Sequence, residues 1–234
     1  DQLQEDADLA RELMFDATYL ASVPYVGKPG IRFSNQAKFH PLKYLAGLAE
    51  CLRRDGCRIF EQTEATEFSE DPRRIKAGDH HIRYEFLVIA THVPLMGNTG
   101  LISATMFQSK LTPYSTYAIG GRIPHGNWDA GSFWDTTDPY YYLRIDRGIA
   151  EDYAIFGGED HKTGQDADPA KRFDRLADQL RKLIPTVKLD LHWSGQVIET
   201  HDGLPYIGEI AEAQFIGTGY SGNGITFGTL AGMM

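Results

Sequence analysis

Phe215-Ile-Gly-Thr-Gly219-Tyr-Ser-Gly222-Asn-Gly224-Ile-Thr226 joins a short apolar run to a glycine-rich turn, and Phe227-Gly-Thr-Leu-Ala-Gly232 continues it as a helix. Strand, turn and helix start gather several free backbone N–H groups at one point, a ready site for an anion or a dipole. The letters from Gly217 to Gly222 also fit G-x-G-x-x-G. A dinucleotide fingerprint of that form needs a βαβ unit of ~30 residues and an acidic residue about 20 positions on. Neither follows before Met234. The segment is therefore either a tight turn that uses glycine for positive φ or one edge of a site whose other parts lie elsewhere in the chain.

Composition narrows the choice. A chain of 234 residues buries a substantial core and suits one large domain or two small ones. The formal net charge of -9, without any basic run, argues against nucleic acid as a partner. No apolar stretch approaches the ~20 residues of a membrane span. Cys51 and Cys57 match neither a redox nor a zinc spacing, and read as reduced structural thiols of a cytoplasmic protein. Asp1-Gln-Leu-Gln opens the sequence without an initiator Met, as a piece of a longer chain would.

Periodicity predicts a helix from Asp6 to about Ala21. A second helix opens at Pro41, carries the stripe Leu42, Leu45, Leu48 and Leu52, and stops at Gly56. Arg58-Ile-Phe-Glu reads as a strand. Arg73–Lys76 and His80–Tyr84 form a hairpin around Ala77-Gly78-Asp79. The continuous apolar run Phe86–Ala90 suits a strand buried on both faces. Tyr114–Ile119, Tyr140–Ile145 and Tyr153–Phe156 read as strands. Asp168-Pro169 caps a helix with the stripe Phe173, Leu176, Leu180 and Leu183, ended by Pro185. Leu189–Trp193 and Phe215-Ile216 are further strands. Simple β-α alternation is absent, so a plain doubly wound domain is excluded.

Four segments carry a family resemblance. They are Phe60-Glu-Gln-Thr-Glu-Ala65-Thr-Glu-Phe68, Phe86-Leu-Val-Ile-Ala90-Thr91-His92, the pair Trp193-Ser-Gly195 and Asp202-Gly-Leu-Pro205-Tyr-Ile-Gly208, and Gly219–Thr226. In this order and spacing they resemble the D-amino-acid-oxidase-type flavoproteins, the superfamily of glycine and sarcosine oxidases. The resemblance implies an α+β fold: a substrate domain of mixed or antiparallel sheet with helices, plus C-terminal portions of an FAD-binding domain. It divides the chain into a linking helical part (1–57), FAD-domain strands and hairpin (58–95), the substrate domain (96–192) and a C-terminal FAD-domain segment with the flavin loop (193–234).

The resemblance also implies cofactor contacts. Ala65 would meet the adenine end of FAD through its backbone, and Ala90, Thr91 and His92 would end a strand close to the cofactor. Gly219, Tyr220, Ser221, Gly222, Asn223, Gly224, Ile225 and Thr226 would point N–H groups at the flavin's pyrimidine edge, which gains negative charge on reduction. Departures matter too. His92 replaces the family's glycine. Val197 and Gly222 stand where related oxidases carry arginines that clamp a substrate carboxylate. Arg144 is the candidate substitute, because Tyr140, Tyr142 and Arg144 share one face of a strand. That tyrosine run either lines a pocket or packs a sheet, and His40 either approaches the substrate or caps the second helix. Glu159-Asp160-His161 reads as a polar loop, without metal ligation. Phe39-His40-Pro41, Gly158–Gly164 and Gly222–Thr229 resemble a sub-branch that joins this fold to a C-terminal Rieske [2Fe–2S] domain.

The expected activity is oxidation of a C–N bond in an amine or amino-acid-like substrate by hydride transfer to flavin. Electrons then pass to oxygen or a Rieske cluster. The expected N-terminal strand and G-x-G-x-x-G motif do not precede Asp1, so the chain reads as a fragment lacking the pyrophosphate half of the site, inactive alone. The rivals are a flavin-less binding or structural module that keeps the fold, and an NAD(P)-binding Rossmann protein.

Overall fold

The structure, a computed structural model, describes residues 2–93 and 110–234. The boundary expected at residue 95 lies outside the described residues. Helix α1 (Gln2–Glu12) precedes the hairpin β1 (Ala17–Leu20) and β2 (Gly30–Phe33), and α2 (Pro41–Arg54) follows. Strands β3 (Ala65–Glu70), β4 (Arg73–Ala77) and β5 (His80–Arg83) form an antiparallel meander. Next come β6 (Leu87–Ile89), β7 (Leu111–Pro124), β8 (Gly131–Trp134), β9 (Tyr142–Asp146) and β10 (Glu151–Lys162). Helix α3 (Ala170–Leu183), β11 (Lys188–Thr200), β12 (Tyr206–Ala211), β13 (Gln214–Thr218) and α4 (Gly224–Met233) complete the chain. This is an α+β fold of mixed and antiparallel sheets, as the resemblance implies.

The largest sheet is five-stranded and antiparallel, in the order β11-β7-β10-β9-β8. Helix α3 covers one face, burying Leu176 and Leu180 completely against Tyr117, Ile119, Leu143 and Phe156. Each such leucine contributes roughly 1.5–3 kcal/mol over an exposed one. Side chains alternate along β9, so Leu143 and Ile145 point to α3 while Tyr142 and Arg144 point to the opposite face. A smaller core lies where β6 runs parallel to β13 and β12 pairs antiparallel with it. There Leu87, Ile89 and Ile216 pack against Phe68 and Ile75 of the meander.

Several elements differ from the periodicity reading. The first helix stops at Glu12 because Met14 takes a φ of 69° and the Phe15 N–H returns to the Ala10 carbonyl, a left-handed cap; Leu20 then belongs to β1. Arg58-Ile-Phe-Glu joins no sheet, since alternation alone supplies no ladder partner. Only one face of β6 is covered, and Val88 is 66% exposed. Helix α3 has no side-chain cap: the Asp168 carboxylate pairs with Lys171 instead of a helical N–H, and Asp166 receives Arg172 and the Asp168 N–H. Glu159-Asp160-His161 lies within β10 rather than in a loop. None of the described helices is long and apolar enough to cross a membrane.

Candidate functional site

The glycine turn sits where β13 ends. Gly219 has a φ of 74°, and a Cβ there would stand 2.4 Å from Thr200 Cγ2. The Ser221 N–H donates to the Ile198 carbonyl at 3.0 Å, which ties the turn to the edge of β11. Tyr220 folds back over Gly217 and against Phe227, and burial pushes its phenol pKa up. Gly222 to Thr226 lie exposed. Asn223 precedes α4 without capping it, since its side chain donates to the Ser221 carbonyl instead. The first helical N–H groups, which no helix can satisfy internally, therefore face outward. Ser221 Oγ and Thr200 Oγ1 are buried without a hydrogen-bond partner.

His92 knots this loop to its neighbours. It follows β6 and has a φ of 66°, the left-handed region in which a glycine is at ease and histidine is tolerated. Two contacts hold it there. Its Nε2 donates to the Gln196 carbonyl at 3.1 Å, which fixes the tautomer, and its own carbonyl accepts from Thr218 Oγ1 at 2.6 Å. The ends of β6 and β13 and the second half of β11 thus meet at one residue. Ala90 and Thr91 precede it, with Thr91 Oγ1 donating to the Val93 carbonyl. The sequence exposes the histidine as a departure from the family glycine, but not the hydrogen bonds that hold it.

The face of the large sheet turned away from α3 carries the other candidate residues. Tyr142 lies directly over Gly157, where a Cβ would come 2.2 Å from the ring. The Tyr140 and Tyr142 rings are 6.2 Å apart at a 40° tilt. Burial pushes Tyr142 up to about 12, with Tyr140 and Asp160 adding to the shift. This phenol therefore stays protonated at neutral pH and is no base there. Burial also raises Tyr140, with contributions from Asp160 and from Glu199 on β11, beside the loop's anchor. Arg144 Nε donates to Asp146 at 2.8 Å, and Lys38 Nζ pairs with the same carboxylate at 2.8 Å. Two cations sharing one anion leave a local positive excess at that end of the face.

The expected residues therefore fall into four places. Thr91, His92 and Gly219–Asn223 come together at the knot, and Tyr142 and Arg144 share the open sheet face. His40 caps α2, its Nδ1 accepting the Lys43 N–H at 3.4 Å, two residues from Lys38 and its pair with Asp146. Ala65 opens β3 on the meander, exposed and paired with Ala77 of β4. One residue that sequence reading set aside also belongs to the open face: Asp160, close to the Thr116 hydroxyl. Among the described residues no group of His, Cys, Asp and Glu is placed to hold a metal ion.

A donor-rich loop beside an aromatic, cation-bearing sheet face suits a flat anionic ring and a small polar ligand stacked on it. The family described as DAO, FAD dependent oxidoreductase, matches residues 1–234. The chain belongs to the DAO family of FAD-dependent oxidoreductases. Among curated proteins it is 28% identical over 214 residues to YhfW of Bacillus subtilis, described as a Rieske 2Fe-2S iron-sulfur protein, covering 89% of this chain and 41% of that one. It is 23% identical over 209 residues to gamma-glutamylputrescine oxidoreductase of Escherichia coli, covering 83% of this chain and 46% of that protein. The DAO chain described here thus spans less than half the length of these relatives. Its fold matches glycine oxidase from Geobacillus kaustophilus with a TM-score of 0.79 and 19% identity, over 100% of this chain and 65% of that one.

Proposed function

We propose that this chain forms part of an FAD-dependent oxidoreductase that oxidises a C–N bond of an amine or amino-acid-like substrate. The observation that carries the reading is the knot at His92, which sets the uncapped start of α4 at the margin of the face bearing Tyr142 and Arg144. The residues fit the cofactor: the outward N–H groups of Gly224, Ile225 and Thr226 would hold the electron-rich edge of the flavin, and the unpartnered Ser221 Oγ lies beside them. Bound FAD would supply the two-electron acceptor, taking a hydride from the carbon next to nitrogen. Tyr140 and Tyr142 would wall the substrate and exclude water, and Arg144 would draw its anionic end. Hydride transfer needs the nitrogen lone pair, so an amine bound as its ammonium ion would first give up one proton to solvent water, and one that arrives neutral would need no base.

Further surfaces support a larger FAD domain around this chain. The stripe Leu42, Leu45, Leu48 and Leu52 of α2, the bare side of β6 with Phe86 and Val88, and Leu230 and Met233 of α4 all lie exposed. Such apolar surfaces suit cover by further protein, in keeping with relatives of which this chain covers less than half. Reoxidation would use oxygen or a Rieske cluster, the latter suggested by the likeness to YhfW.

The test is spectroscopic. A chain extended to the length of its relatives should purify yellow, and its flavin band should bleach when an amine substrate is added without oxygen. A folded, colourless protein that refuses added FAD would instead favour a flavin-less module. In the active enzyme, Arg144→Ala should raise KM for an anionic substrate about tenfold with kcat little changed, the signature of lost ground-state binding. Unchanged kinetics would remove Arg144 from the site.

A further inference from the structure

We propose that Asp160 is the anchor for the substrate's cationic nitrogen, an alkylammonium group held between this carboxylate and the rings of Tyr140 and Tyr142. The inference rests on the amine-oxidising reading above and adds the recognition element. Its basis is a bulge. In β10, Gly158 faces Tyr117 and His161 faces Ser115, so Glu159 and Asp160 together oppose the single residue Thr116. The extra residue reverses the alternation. Glu159 takes a φ of 59° and turns to α3, where it accepts from Tyr141 and pairs with Arg172 and Arg175. His161 turns the same way, onto Tyr117. Asp160 is left on the opposite face, the one that carries Tyr142. Without the bulge, alternation would bury it beneath α3.

The carboxylate there is incompletely satisfied. The Thr116 hydroxyl lies close enough to lower its pKa, but Oδ1 is buried and has no hydrogen-bond partner. The basic side chains nearest it, His161 and Arg172, lie on the α3 side and are engaged with Tyr117, Glu159 and Asp166. Among the described residues no Lys or Arg forms an ion pair with Asp160. On its own face its neighbours are Tyr140 and Tyr142, whose phenols it helps to keep protonated. Burial raises its own pKa. A partly desolvated carboxylate with a vacant acceptor, beside two electron-rich rings, favours an ammonium ion by charge, hydrogen bond and cation–π attraction together. An alcohol of the same shape offers only the hydrogen bond.

The test uses tert-butylammonium and tert-butanol, which lack a hydrogen on the carbon bearing the heteroatom and so cannot be oxidised. Binding is read on the FAD-loaded protein from perturbation of its visible band and from calorimetry. Wild type should bind the ammonium at least tenfold more tightly than the alcohol. Asp160→Asn should erase that preference, and Asp160→Glu should restore part of it. Equal binding of the two probes by wild type, or a preference that survives in Asp160→Asn, overturns the proposal; should Asp160→Asn fail to fold, Asp160→Glu carries the test, because it keeps the charge but moves it by one methylene, and a preference unchanged in it overturns the proposal as well. The two readings fail separately. An enzyme that oxidises amines with an ammonium preference indifferent to Asp160 keeps the proposed function and loses this anchor. One that binds ammonium through Asp160 yet is reduced by no amine does the reverse.

Discussion

Asp152→Asn should lower the thermal midpoint by on the order of 10 °C, the largest stability loss expected from one substitution outside the apolar core. The Asp152 side chain is wholly enclosed. It accepts the N–H of Gly126 at 2.9 Å and of Gly148 at 3.1 Å, His125 Nδ1 at 2.9 Å and Arg147 at 2.7 Å. Gly126 follows β7, and Arg147 and Gly148 join β9 to β10, so one carboxylate staples three strand ends. An asparagine keeps the shape but turns an NH2 toward donors and removes the charge opposite Arg147. His125 and Arg147 reach solvent on their far sides, which limits the loss. The pH dependence has a definite sign. The Gly126 N–H first, then the Gly148 N–H and Arg147, hold the carboxyl well below the usual carboxylate range against the cost of burial. A folded-state pKa that is depressed gives stability that is fully present above the unfolded value of about 3.9 and is lost as pH falls below it. Calorimetric midpoints from neutral pH down to 3 should therefore fall more steeply for wild type than for Asp152→Asn. Coincident midpoints at neutral pH would show that the staple contributes nothing.

What the sequence discloses depends on whether the information is local. Helix α2 is readable because Pro41, one apolar stripe and Gly56 all act at or within the element, and of the two roles open to His40 the contact with the Lys43 N–H shows the cap. The glycine turn is readable as a strand–turn–helix junction. Its anchoring to Ile198 and the left-handed His92 are not, because both depend on strands brought together from distant parts of the chain. The parity of Asp160 is the clearest loss. Alternation along β10 assigns it to the wrong face, and only the ladder with β7 exposes the extra residue. Arg58-Ile-Phe-Glu fails in the opposite way: its pattern suits a strand, but a strand exists only where an edge is offered to it.

Gly219→Ala should weaken FAD binding by about 100-fold or more in the chain that carries the whole FAD domain. Two costs combine. A φ of 74° places any L-residue in the left-handed region, at roughly 1–2 kcal/mol. The new methyl would also stand 2.4 Å from Thr200 Cγ2 and 3.5 Å from Leu111 Cδ2. Thr200 cannot yield easily, because it is β-branched and its strand pairs with Leu111 of β7. The turn must move instead, and the Ser221–Ile198 hydrogen bond that aims the start of α4 moves with it. Adding Thr200→Ala removes the opposing methyl and leaves only the backbone cost, so the double variant should regain about half of the lost binding free energy. A Gly219→Ala protein that binds FAD as wild type does would detach this loop from the flavin. A double variant no better than the single one would keep the loop at the flavin but assign the whole loss to the backbone at Gly219, since the contact with Thr200 would then have moved nothing.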